Sequence, residues 1–209
     1  MAASGSRKVI IAALIGNGLI AITKLFAATM TRSSAMLSEG IHSIVDTGNQ
    51  VLLLLGLSRS HRKPDEDHPL GYGKEVYFWS FVVAILIFGV GAGVSLYEGI
   101  KHLQHPEPVH NPRINYVVLA LAFVFEGVAW YTAWREFRRV QGRRSLMQAV
   151  RDSKDPYTFV VLFEDTAAMA GIVVAFLGVW LGSVTGQPWW DGAASVTIGL
   201  ILAVTAWML

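Results

Sequence analysis

Hydrophobic positions along the chain gather into six long runs, at about 9–30, 35–57, 75–103, 114–134, 157–181 and 191–209. Each is near the ~20 residues that an α-helix needs to cross a bilayer. Polar segments separate them: the turn Thr31-Arg32-Ser33-Ser34, where a serine is placed to cap the next helix, and the loop RSHRKPDEDHPLGYG over 59–73. HPEPVHNP, a basic connector after Trp134 that reads as partly helical, and Gly186-Gln187-Pro188 complete the set. Proline and glycine in these segments mark clear breaks. The pattern predicts an all-α integral membrane domain over 1–209 with six transmembrane helices.

The runs are not uniformly apolar. The second carries Glu39, His42, Asp46 and Asn49, spaced by three, four and three residues, which puts all four on one helical face. The fifth carries the adjacent acids Glu164 and Asp165, the fourth Glu126, and the first Lys24. Ionisable groups at membrane depth are costly and by default mark a substrate or ion path. Lys24 and Glu126 are paired by scarcity of other partners, although Lys24 could instead reach toward the interface. Glycines at 16 and 18, and at 89, 91 and 93, suggest close helix approach in the first and third runs.

Composition sharpens the membrane assignment. Of 209 residues, 53% are hydrophobic and 15% charged, against the ~25% charged of an average soluble domain. The chain has no cysteine, so thiolate zinc sites, iron–sulfur clusters and disulfides are excluded. The net charge of +2 matters less than its distribution. Arg7, Lys8, Arg59, Arg62, Lys63, Lys74 and the basic connector would share one side, leaving Arg32, Lys101 and Arg113 on the other. That asymmetry predicts cytoplasmic termini. The first run is too long, and lacks the cleavage site, for a signal peptide. No feature calls for nucleic acid.

His42 and Asp46 lie one helical turn apart, and an imidazole with a carboxylate suits zinc and related divalent ions. The competing reading is a hydrogen bond that pins helices together. A second acidic helix in lipid favours the metal site, completed from Asp165 and Glu164. Those two neighbours point about 100° apart, so one faces the ion while the other pairs elsewhere. Asn49 is read as a supporting donor or as polar glue, and Glu39 as lining a vestibule. Asp65 and His68 offer a second, cytoplasmic-face site, against the alternative of a merely solvated loop. His61, His102, His105 and His110 show no ligand spacing.

These residues together resemble the cation diffusion facilitator family of divalent-metal/proton antiporters. The strings SEGIHSIVDTGNQ, PDEDHPLGYG and LFEDTAA are most similar to its zinc transporter nine branch. The resemblance spans essentially the whole chain and implies His42, Asp46 and Asp165 as ligands, with Glu164 as a fourth. Val161 stands where the family usually has a fifth-span His, and Tyr72 where members with a cytoplasmic-face site carry another. The transported ion implied is Zn2+, with Mn2+, Fe2+ and Co2+ as alternatives once a nitrogen ligand is missing. No resident cofactor is implied. The implied partners are divalent metal ions, protons, the lipid bilayer and a second copy in a homodimer. The membrane would be a bacterial inner membrane or that of an organelle. The family's soluble cytoplasmic domain after the sixth span is not expected within 1–209. A metal-free site reprotonated through His42 would couple metal efflux to proton entry. The rival functions are a non-transporting scaffold or regulatory subunit and a membrane metalloenzyme. For the latter, Glu39-Gly40-Ile41-His42 has no second Glu-x-x-His within another apolar run, as a di-iron bundle needs.

Overall fold

The structure, a computed structural model, describes residues 2–141 and 156–209. Residues 142–155, including most of the basic connector, lie outside the described residues. The described residues form six helices and no strand: α1 (Ala2–Thr31), α2 (Ser34–Ser60), α3 (Glu75–Gln104), α4 (Pro112–Gln141), α5 (Pro156–Thr185) and α6 (Trp189–Met208). Each expected run is a helix. Most extend beyond their apolar stretch because the amphipathic ends, such as the arginine-rich end of α4, continue the same hydrogen-bond ladder.

Five of the six are long and apolar enough to cross a membrane. The exception is α2, whose 27 residues span about 40 Å but whose polar stripe lowers its hydropathy. Its surroundings explain how it tolerates that stripe. It packs against α1, α3, α5 and α6, so Glu39, His42 and Asn49 are buried in protein rather than in lipid. By contrast α4 touches chiefly α1 and α5, with 11% of its apolar window buried. Val117, Leu121, Val124, Phe125 and Val128 cover its outer face, as expected of a lipid-facing helix.

Small residues recur through the core: Ala27 and Ala28 of α1, Ala35 of α2, Ala167 and Ala175 of α5 and Ala194 of α6. Small side chains let helix backbones approach where lipid supplies no hydrophobic drive. The glycines at the closest approaches differ for the most part from those the sequence suggested. Gly16, Gly18 and Gly89 face nothing within 4 Å. The tight crossing is α3 against α6, where a Cβ on Gly99 would stand 2.6 Å from the Val196 nitrogen and one on Gly192 would meet the Leu103 nitrogen at 3.0 Å. The run Ile87–Ala92, holding Gly89 and Gly91, is a π-helical turn inside α3, which places Gly91 against Leu202 of α6.

The entry to α2 is fixed from two sides. Ser33 is its N-cap, accepting from the Met36 N–H at 3.1 Å. Asp191, at the start of α6 and 1% exposed, accepts from the Ser33 hydroxyl at 2.5 Å, the Ser34 N–H at 2.5 Å and the Ser34 hydroxyl at 2.9 Å. A neighbouring helix thus satisfies free N–H groups at the positive end of α2.

Candidate metal-transport site

Midway along the bundle, α2 presents its stripe to three neighbours. His42 and Asp46 are brought together, with Nε2 3.4 Å from Oδ2. That is a contact without a good hydrogen bond, and neither ring nitrogen of His42 has a partner. Asp46 faces a cavity of about 20 Å3 walled by Asn17 and Ile20 of α1, Ser43 and Gln50 of α2, Glu126 and Ala129 of α4, and Asp165 and Ala168 of α5. That volume admits about one water-sized occupant.

The adjacent acids of α5 divide as their angular separation requires. Asp165 turns to the cavity, whereas Glu164 is buried and accepts a short hydrogen bond from the Asn49 amide. Asn49 is therefore a donor to Glu164, across the contact of α2 with α5. Val161 packs with the apolar core.

Glu39 departs from expectation. It is fully buried and absent from the cavity wall; its Oε2 accepts from Lys24 Nζ at 2.9 Å. Lys24 also donates to Ser43 Oγ at 2.9 Å and Glu126 Oε1 at 2.7 Å. The expected Lys24–Glu126 pair is present, and Glu39 is its third member. A carboxylate on the same face as His42 could be read as lining because the sequence does not show that a lysine on α1 reaches it.

Asn17, not among the candidates above, and Gln50, which flanks the α2 stripe, both wall the cavity. They bond each other, Asn17 Nδ2 to Gln50 Oε1, at 3.1 Å. Asn17 is a lone polar side chain in an apolar run, and that signal was present.

Among the described residues, ten buried side-chain atoms lack a hydrogen-bond partner. Six cluster here: Glu39 Oε1, both His42 nitrogens, Asp46 Oδ1, Asn49 Oδ1 and Glu126 Oε2. Folded proteins leave few such groups, and each calls for an explanation. No three His, Asp or Glu side chains among the described residues converge closely enough to form a ready coordination shell. Asp46 and Asp165 share the cavity, His42 lies beside Asp46, and Glu164 is engaged with Asn49.

On the loop between α2 and α3, Asp65 and His68 are also brought together, with Nδ1 3.5 Å from Oδ1. Both are about half exposed. Tyr72 occupies the other side of Asp65, donating its hydroxyl to Oδ2 at 2.5 Å and stacking on His68 with ring centroids 4.2 Å apart. That hydrogen bond, with the His68 N–H at 2.8 Å, holds the Asp65 carboxyl below the usual carboxylate range and pushes the Tyr72 phenol up. The loop satisfies Asp65 by itself. His102 and His105 line a separate cavity of about 270 Å3 at the α1–α2 turn, together with Arg32, Glu98, Lys101 and Glu107.

An all-helical, multi-pass membrane domain with acidic side chains on a small cavity and an imidazole beside one of them is an architecture suited to a cation transporter. The chain belongs to the cation efflux transmembrane domain family, whose model matches residues 10–209. It is 42% identical over 208 residues to the proton-coupled zinc antiporter SLC30A9, mitochondrial, of Xenopus laevis, covering 98% of this chain and 37% of that protein. It is 39% identical over 204 residues to the Homo sapiens protein of the same name, covering 97% and 36%. Metal tolerance protein C4 of Arabidopsis thaliana is 32% identical over 205 residues, covering 96% and 44%. The chain therefore spans well under half the length of these relatives. The first two are named as antiporters, which are transporters rather than enzymes, in line with the lack of a second Glu-x-x-His within the apolar runs.

Proposed function

We propose that this chain forms the membrane domain, over 1–209, of a secondary transporter that exchanges a divalent metal cation, zinc foremost, for protons. The six helices would all span the bilayer, with both termini on the cytoplasmic side and the domain pairing with a second copy. His42, Asp46 and Asp165 would hold the cargo, with Glu164, positioned by Asn49, as a fourth ligand. The observation that carries this reading is that unpartnered buried polar atoms gather along the α2 stripe, those of Asp46 and Glu126 on residues that wall one small cavity with Asp165. The names of the zinc-antiporter relatives support the choice of ion. An organelle membrane fits the mitochondrial relatives.

In this reading the ligands are loosely arranged without cargo and tighten around it. Rocking of helices then turns the site to the other side. Because ligands must lose protons to bind metal, each loading releases protons and each unloading takes them up. The imidazole of His42, unbonded at both nitrogens, is free to do both.

The test is metal-driven proton flux in proteoliposomes. Wild-type protein should couple Zn2+ movement to opposing proton movement, and Asp46→Ala and Asp165→Ala should each lower the flux at least tenfold. Unchanged flux in both variants would refute the site. A wild-type protein that moves no divalent metal would instead favour a scaffold, the reading to which Val161 in place of a ligand lends support.

A further inference from the structure

The buried cluster beside the cavity holds an uneven balance of charge. Lys24, fully buried, is the ammonium shared by Glu39 and Glu126. One positive charge cannot neutralise two carboxylates, and buried charge is stable only when compensated. Glu39 is closed off: its second oxygen lies against Gly171 of α5, where even a Cβ would not fit. Glu126 is open. Its Oε1 bonds Lys24 at 2.7 Å, while its Oε2 is buried, without a partner, on a side chain that walls the cavity shared by Asp46 and Asp165.

We infer that Glu126 is a further cargo-binding residue, and that Lys24 is a tethered cation which competes with the arriving metal for it. This rests on the transport reading above and adds a residue from a third helix. An entering divalent ion meets carboxylates from α2, α4 and α5 at once, and the free oxygen of Glu126 faces it without first breaking the Lys24 bond. Drawing Glu126 toward the ion loosens its hold on Lys24, and so the tie between α4 and the α1–α2 pair. Ligand capture is thereby linked to the freedom of a peripheral helix to move. A hard carboxylate here also offsets the nitrogen missing at Val161, and broadens acceptance toward ions that favour oxygen.

The test uses the full chain in lipid nanodiscs, with equilibrium binding of Zn2+ and the visible absorption of bound Co2+. Glu126→Gln keeps the size and the acceptor for Lys24 but removes the charge; it should weaken Zn2+ binding tenfold or more and alter the Co2+ bands. Lys24→Gln should act in the opposite direction and tighten binding threefold or more, while Lys24→Arg restores wild-type affinity. Opposite signs are the signature, because a purely structural ion pair would weaken binding on loss of either partner. If Glu126→Gln does not fold, Glu126→Asp retains the charge but withdraws it by one methylene. That variant should shift affinity at least threefold and change the Co2+ bands. Wild-type affinity and an unaltered spectrum in whichever Glu126 variant folds would overturn the inference while leaving the transport reading intact. Equal weakening by both partners with an unchanged spectrum would do the same. A wild-type chain that binds neither ion would overturn both.

Discussion

Asp191 fixes the position of the site-bearing helix, and its replacement has a calculable consequence. It accepts from two serine hydroxyls and the Ser34 N–H at 2.5–2.9 Å, with the Ala35 N–H at 3.4 Å. Hydrogen bonds to a charged acceptor contribute about 1.5–3 kcal/mol each. Loss of a helix cap costs about 1 kcal/mol. The serine hydroxyls can rotate to new acceptors, and removing the carboxylate relieves its own burial. The net expected loss for Asp191→Ala is therefore about 3–4 kcal/mol, within the range for breaking a buried charged network. Asp191→Asn keeps one acceptor oxygen and should lose about half as much. Unfolding in detergent, followed by helical circular dichroism and tryptophan fluorescence, would measure both. A loss below about 1 kcal/mol for the alanine variant would refute the claim that α6 anchors the entry of α2.

Other consequences follow from the same contacts. Gly99→Ala would force the α3–α6 crossing apart, because its Cβ would meet the Val196 backbone nitrogen at 2.6 Å; about 1–3 kcal/mol of destabilisation is expected, checked by the same unfolding assay. On the loop, Tyr72→Phe should return the Asp65 carboxyl toward its ordinary value of about 4, observable by carboxyl NMR titration. The sign follows from the depressed folded value of Asp65: its contribution to loop order is present above the ordinary carboxylate range and is lost as pH falls through the lower folded value. Tyr72→Phe should therefore make the loop disorder at a higher pH than wild type. Asn49→Ala removes the donor to Glu164 and should weaken Zn2+ binding roughly three- to tenfold in equilibrium titrations if Asn49 positions that carboxylate.

The helices were legible because length, apolarity and the proline and glycine breaks all agree at each boundary. Ser33 as a cap was legible for the same local reason. The stripe on α2 could be placed on one face by spacing alone. Its partners could not, since spacing along one helix says nothing about which neighbour lies opposite. Thus Glu39 looked like a lining residue until α1 brought Lys24 to it, and Asp191 gave no sign that it caps a helix more than 150 positions earlier. Small-residue contacts failed similarly: a glycine string marks flexibility of approach, but only the crossing of α3 and α6 selects Gly99, Gly192 and Gly199. The split of Glu164 from Asp165 was foreseeable because adjacent helical residues diverge by about 100°.

The central claim is that a divalent ion is bound between α2 and α5 by an imidazole and carboxylates. Zinc K-edge X-ray absorption of the Zn2+-loaded full chain tests it most directly. The account predicts a first shell of light N/O donors at about 2.0–2.2 Å, with the outer-shell scattering of one imidazole that disappears in His42→Ala. A spectrum without imidazole scattering, or one that His42→Ala leaves unchanged, would contradict it.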